Sequence, residues 1–271
     1  PNNPWSLGFA EYAPSSLTPF QRLSQLFISP SGAILEWILM LYTLSLFHLN
    51  YVKRQISRKK CQSIQKHQFY QLQKQLIEGI LVFLFILHLK FNPLQLTDPI
   101  YLLLFPNGAN ITQEFYGILK IIHPALIFIS YAASFFPFMM EISQYKFPIE
   151  QQDSFSLTHK LSYFWGFCIW GLFSLGLISG IKKKKISNYW GEFWQWDIIE
   201  ILTLSIWLLS ILYLLETRYH IVQIYFREKN RQFLSKISPI IFPLLLVNSI
   251  LYSSILIRSE FILSKHTLNS N

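Results

Sequence analysis

The sequence predicts an all-α fold, a polytopic transmembrane bundle of about six membrane-spanning helices. Three observations predict it. Apolar residues make up 52% of the 271 residues and charged residues only 14%, where a soluble domain carries about 25% charged residues. Mean hydropathy is +0.32, an apolar excess that asks for a non-aqueous solvent. Apolar runs of spanning length recur along the chain, separated by short basic segments.

A bilayer core of ~30 Å needs roughly 17–25 apolar residues per helix. Spans are expected near 31–50, 76–91, 118–140, 160–181, 197–215 and 237–257. The second of these is short. The apolar run 99–105 is too short to cross and is expected at the interface. Residues 1–30 read as an N-terminal extension and 31–271 as one membrane domain. The chain opens on Pro1 rather than Met, so the start of the full polypeptide is expected upstream.

Most of the basic residues behind the net charge of +9 sit in the connections, where Lys and Arg set membrane orientation. That distribution argues against a nucleic-acid partner and for lipid. The segment after the first span holds Lys53, Arg54, Arg58, Lys59, Lys60, Lys66 and Lys74; the one after the fifth holds Arg218, Arg227, Lys229, Arg231 and Lys236. Both are expected on the inner face with residues 142–159, leaving 92–117, 182–196 and 258–271 on the outer face. Lys182 to Lys185 fall on the outer side, against the general bias. The Phe- and Ile-rich, Gly-poor usage, with 24 Phe and 10 Gly, fits an AT-rich organellar genome. Cys61 and Cys168 are isolated and form neither a CxxC pair nor a haem-attachment pattern, so both are expected to be inert. No Walker loop, HExxH, GxSxG or dinucleotide fingerprint is present.

Three segments converge on the outer face. His123 lies near the outer end of the third span, Trp190-Gly191-Glu192-Phe193-Trp194-Gln195-Trp196-Asp197 joins spans four and five, and His266 follows span six. Haem is a flat aromatic disc whose iron takes axial ligands. Trp faces supply broad apolar contact, Trp190 and Trp194 share a face on a helical turn, and two neutral imidazoles bind iron from opposite sides. Asp197 and Glu200 would orient the indole N–H groups or the backbone, and Gly191 permits close approach. An interfacial aromatic belt is the plainer reading of the tryptophans. His48 and His88 read as interfacial, His67 and His220 as solvated in basic loops, and His159 fits no site pattern.

The segment Trp190-Gly191-Glu192-Phe193-Trp194-Gln195-Trp196-Asp197-Ile198-Ile199-Glu200 resembles the WGxxWxWDxxE signature of the tryptophan-rich "WWD" haem-handling proteins of cytochrome c maturation. Among them the chain is most similar to the CcmF-like haem lyase family. Asn92-Pro93-Leu94, His123-Pro124 with Leu126 and Tyr131, Gly180 ten residues before Trp190, and Arg258-Ser259 with Leu263, Ser264 and His266 resemble further family segments in the family's order. The match runs from about residue 32 to 266 and resembles less than half of a full-length bacterial member, as one piece of a split mitochondrial protein would.

The resemblance implies a transmembrane haem-handling domain over 31–271 and a haem lyase subunit in cytochrome c-type biogenesis. Haem would be its cofactor. His123 and His266 would be axial ligands of the haem iron, with Trp190, Gly191, Trp194, Trp196 and Asp197 forming the platform. No side chain would be catalytic in its own right: the protein would position haem while an apocytochrome c thiolate attacks the vinyl group. The implied partners are apocytochrome c, a haem chaperone, and other maturation subunits including the missing half of the split protein. The implied location is the mitochondrial inner membrane, with the haem site facing the intermembrane space. The chain departs from the family at Ser210, where a ligand of a second, transmembrane b-type haem is usual. Further departures are Lys182 to Lys185, Ile198 and Glu260. Two other readings fit the sequence: a structural membrane subunit of a mitochondrial respiratory assembly derived from such a protein, and a simple haem relay or exporter.

Overall fold

The structure is a computed structural model, and it describes residues 30–57, 64–90, 119–147, 154–187, 198–226 and 234–258. The N-terminal extension, Trp190 to Asp197 and His266 lie outside the described residues. Six helices account for almost all of what is described: α1 Pro30–Ser57, α2 Ile64–Lys90, α3 Leu119–Lys146, α4 Ser154–Ser187, α5 Ile198–Phe226 and α6 Leu234–Arg258. No strand occurs among the described residues. Among the described residues, the first five contain stretches long and apolar enough to cross a membrane, and α6 is an apolar helix of 25 residues. The chain is therefore a helical membrane protein.

α3 is the hub. It packs against α1, α2, α4 and α6, and its closest neighbour is α4. Its inward residues Tyr131, Ala132, Phe135, Phe136, Met139 and Met140 are all buried. Outward side chains such as Phe83 and Ile86 on α2 and Leu208 and Leu212 on α5 are exposed, as lipid-facing surfaces are. α3 also holds Pro124 and Pro137 within the helix. Proline removes one backbone donor, and transmembrane helices tolerate this because neighbouring groups re-satisfy the freed carbonyl.

Two glycines one turn apart set the α3–α4 approach. Gly176 and Gly180 share a face of α4, the spacing that lets membrane helices come close. A Cβ on Gly176 would stand 2.7 Å from Ile127 Cδ1, and one on Gly180 would stand 2.8 Å from His123 Cε1. His123 and Ile127, themselves four residues apart on α3, thus fill the groove the glycines leave. Deeper in the same interface the Ser162 hydroxyl donates to Glu141 Oε1 at 2.9 Å. α5 is tied to α4 by the Trp207 indole N–H donating to Ser174 Oγ at 2.9 Å and by Tyr213 donating to the Ser162 carbonyl at 3.2 Å.

Five expectations are corrected. The second membrane helix starts at Ile64, not near residue 76, so Lys66, His67 and Lys74 lie on a helix and not in a loop. α5 runs on to Phe226, so Arg218 and His220 lie on a helix as well. The Gln-rich stretch that hides this helix is amphipathic, with Phe69, Gln73, Ile77 and Leu84 buried on one side. The connection expected over 142–159 shrinks, because α3 runs to Lys146 and α4 begins at Ser154. Lys182 to Lys185 continue α4, which runs on to Ser187; lysine is a good helix former. His48 is not interfacial: it is 1% exposed in the bundle core.

Candidate functional site

His123 sits in the first turns of α3, where its neighbour Pro124 lies inside the helix. Its Nδ1 lies 2.8 Å from the carbonyl oxygen of Gly176. A carbonyl only accepts, so Nδ1 carries the proton and donates. The imidazole is thereby held as the tautomer whose lone pair is on Nε2. Metal-binding histidines are characteristically oriented this way, with the far ring nitrogen donating to a carbonyl or carboxylate. Gly180 makes the pose possible, since the ring occupies the volume a side chain there would take.

The same end of the bundle holds the helix termini that flank the tryptophan signature. α3 and α4 run antiparallel, as His123 against Gly176 and Ser162 against Glu141 show. α4 and α5 are antiparallel as well, with Ser174 against Trp207 and Ser162 against Tyr213. The C-terminus of α4 at Ser187 and the N-terminus of α5 at Ile198 therefore lie at the His123 end. Continuing the Ser174–Trp207 register puts Glu200 at about the depth of Gly180, and Glu200 is buried. Of the expected site, the structure thus describes His123 and brings Gly180 and Glu200 to its level. Trp190, Gly191, Trp194, Trp196, Asp197 and His266 lie outside the described residues.

α1 contributes two groups that sequence reasoning missed. Trp37 is 2% exposed and packs against Phe128, Tyr131 and Phe135 of α3, the first of these five residues from His123. Glu36 is buried beside it in the chain. The Trp37 indole nitrogen and Glu36 Oε2 have no hydrogen-bond partner among the described residues. A carboxylic acid inside an apolar span, four residues after Gly32, was the available signal, because intramembrane acids are rare and concentrate at functional places.

His48 forms a separate buried constellation toward the other end. The Trp165 indole N–H donates to its Nδ1 at 3.2 Å, and its Nε2 lies 2.9 Å from Gln73 Oε1. An indole only donates, so Nδ1 accepts and Nε2 carries the proton that Gln73 Oε1 receives. The ring is stacked on Phe136 with centroids 4.7 Å apart. Both nitrogens are committed to protein, which makes His48 a structural imidazole joining α1, α2 and α4 and not an iron ligand. Cys168 is a free thiol and Cys61 lies outside the described residues. Among the described residues no three His, Cys, Asp or Glu side chains gather as a metal-ion site.

No known protein family, curated protein or solved structure matches this chain.

Proposed function

We propose that this chain is a haem-binding membrane subunit of cytochrome c biogenesis, similar in role to the CcmF-like haem lyases its tryptophan signature resembles. The observation that carries the reading is the His123 pose. The ring is held through Nδ1 by Gly176 O and seated on Gly180, the orientation that a carbonyl gives to metal-binding histidines. Haem needs only one imidazole from α3; the second is expected from His266. Trp190, Trp194, Trp196 and Asp197 would supply the platform, on a segment whose flanking helix ends are at the His123 end.

Bound haem would supply the vinyl groups that receive the thiols of apocytochrome c. The protein's own contribution is orientation: fixing the disc so that a thiolate meets a vinyl carbon at near-attack distance accounts for a large part of such a barrier. The setting that follows is a mitochondrial inner membrane with the site open to the intermembrane space. A haem chaperone and the other half of the split protein would be partners there.

Replacing His123 by alanine in the native organelle tests the function. The expected outcome is loss of covalently attached c-type haem while the chain itself still accumulates in the membrane. Unchanged c-type cytochromes would remove the lyase reading and favour a structural subunit, for which the buried His48–Gln73–Trp165 constellation would serve as scaffold.

A further inference from the structure

α2 carries a charge pair, Lys74 and Glu78, within its spanning stretch. Lys74 Nζ lies 3.6 Å from Glu78 Oε1, and the two side chains remain 49% and 58% exposed. Gln75 and Gly79 are exposed on the same outward side, away from the buried row Phe69, Gln73, Ile77 and Leu84. A Cβ placed on Gly79 would meet nothing within 4 Å. Of the five spanning stretches, that of α2 is the least covered, with 17% of it buried against 61% for α3.

The depth follows from two landmarks. Glu78 stands twelve residues before Lys90, where α2 ends, which is about 18 Å of helix. From the other side, Gln73 touches His48, and α1 and α2 pack side by side with the chain reversing between them. Lys53 is five residues from His48 toward that end, and Glu78 five residues from Gln73 away from it. Glu78 is thus about 15 Å deeper than Lys53 at 1.5 Å per residue. In a hydrocarbon layer of ~30 Å, both distances place it near the middle.

We propose that this outward face of α2 is the docking seam for a transmembrane helix of another polypeptide, one that presents hydrogen-bonding side chains at mid-depth. Charged residues at the centre of a membrane face protein or water-filled space, and they pair. A neutral Lys–Glu pair with one side open needs polar neighbours on that side, and an uncovered glycine beside it lets a second backbone come close. A second copy of this chain fits poorly. Copies inserted in one orientation are related by an axis along the membrane normal, so identical residues meet at identical depth. Glu78 would face Glu78 and Lys74 would face Lys74.

The test is a photo-reactive side chain introduced singly at Gln75, at Gly79 and, as a control, at Leu212 on the exposed face of α5, in the full chain in its own membranes. Adduct masses then separate lipid, a second copy and another polypeptide. The expected result is a crosslink from positions 75 and 79 to one transmembrane segment of another chain, at least fivefold above position 212. Lipid adducts alone, at the level of the control, overturn the proposal, and so does a crosslink to a second copy. A companion variant, Lys74→Leu with Glu78→Leu, keeps the helix apolar and insertable. It is expected to reduce the native complex on a non-denaturing gel at least tenfold with the chain still in the membrane; full retention of the complex overturns the seam. Neither readout involves haem, so the seam stands or falls apart from the haem reading.

Discussion

Gly180→Ala is the smallest change that reaches the proposed iron ligand without touching it. The added methyl would stand 2.8 Å from His123 Cε1 and 3.1 Å from Nδ1. Ordinary carbon contacts begin near 3.5 Å, so the ring must move by roughly 0.7 Å or the helices must part. Such overpacking typically destabilises by about 1–3 kcal/mol. The movement is away from α4, and it stretches the 2.8 Å hydrogen bond to Gly176 O, a bond with a net worth of about 0.5–1.5 kcal/mol. Loss of the partner that orients a ligating histidine lowers metal affinity by about 10–100-fold. Gly180→Ala is therefore expected to lower haem retention by that factor while leaving helix content unchanged. Gly171→Ala is the control, because a Cβ there meets nothing within 4 Å. The assay is haem absorbance per mole of purified protein, alongside far-ultraviolet circular dichroism. Equal haem in the Gly180 and Gly171 variants would refute the claim that the ring pose governs binding.

Other outcomes follow from the packing. Gly176→Ala, whose methyl would stand 2.7 Å from Ile127 Cδ1, is expected to lower the thermal midpoint, and Ile127→Ala in the same chain is expected to recover most of the loss; additive losses would deny the contact. His48→Leu strands the Trp165 N–H and Gln73 Oε1, at about 1–3 kcal/mol, and in a double-mutant cycle with Trp165→Phe the two effects should fall short of additive by urea or thermal unfolding in detergent. Tyr213→Phe removes one interhelical bond, 3.2 Å long, to Ser162 O. Such bonds average about 0.6 kcal/mol in membrane proteins, so a small loss is expected, and a loss several times larger would mean that Tyr213 does more than tie α5 to α4.

The membrane bundle was legible because a spanning helix declares itself by one run of apolar residues. α1, α3, α4, α5 and α6 cover their expected spans to within a residue. α2 was only half legible, since its first four turns bury Phe69, Gln73 and Ile77 among polar neighbours and leave no continuous apolar run. His123 is singled out by its place at a span end on the face expected to hold the signature. Its tautomer was not legible, because the partner carbonyl is 53 residues away on another helix. The Gly176–Gly180 pair is a visible spacing whose meaning depends on which side chains enter the groove. His48 misled for a similar reason: Trp165, which completes its pairing, is 117 residues distant, and near the end of an apolar run a histidine looks like an interfacial one.

The proposed function requires that iron is held at His123. Haem spectra of the purified chain, of His123→Ala and of His48→Leu decide it. The expected result is low-spin, histidine-ligated haem in the unaltered chain, its loss or conversion to high spin with His123→Ala, and its retention with His48→Leu. A haem spectrum untouched by His123→Ala, or one abolished by the His48 change alone, would contradict it.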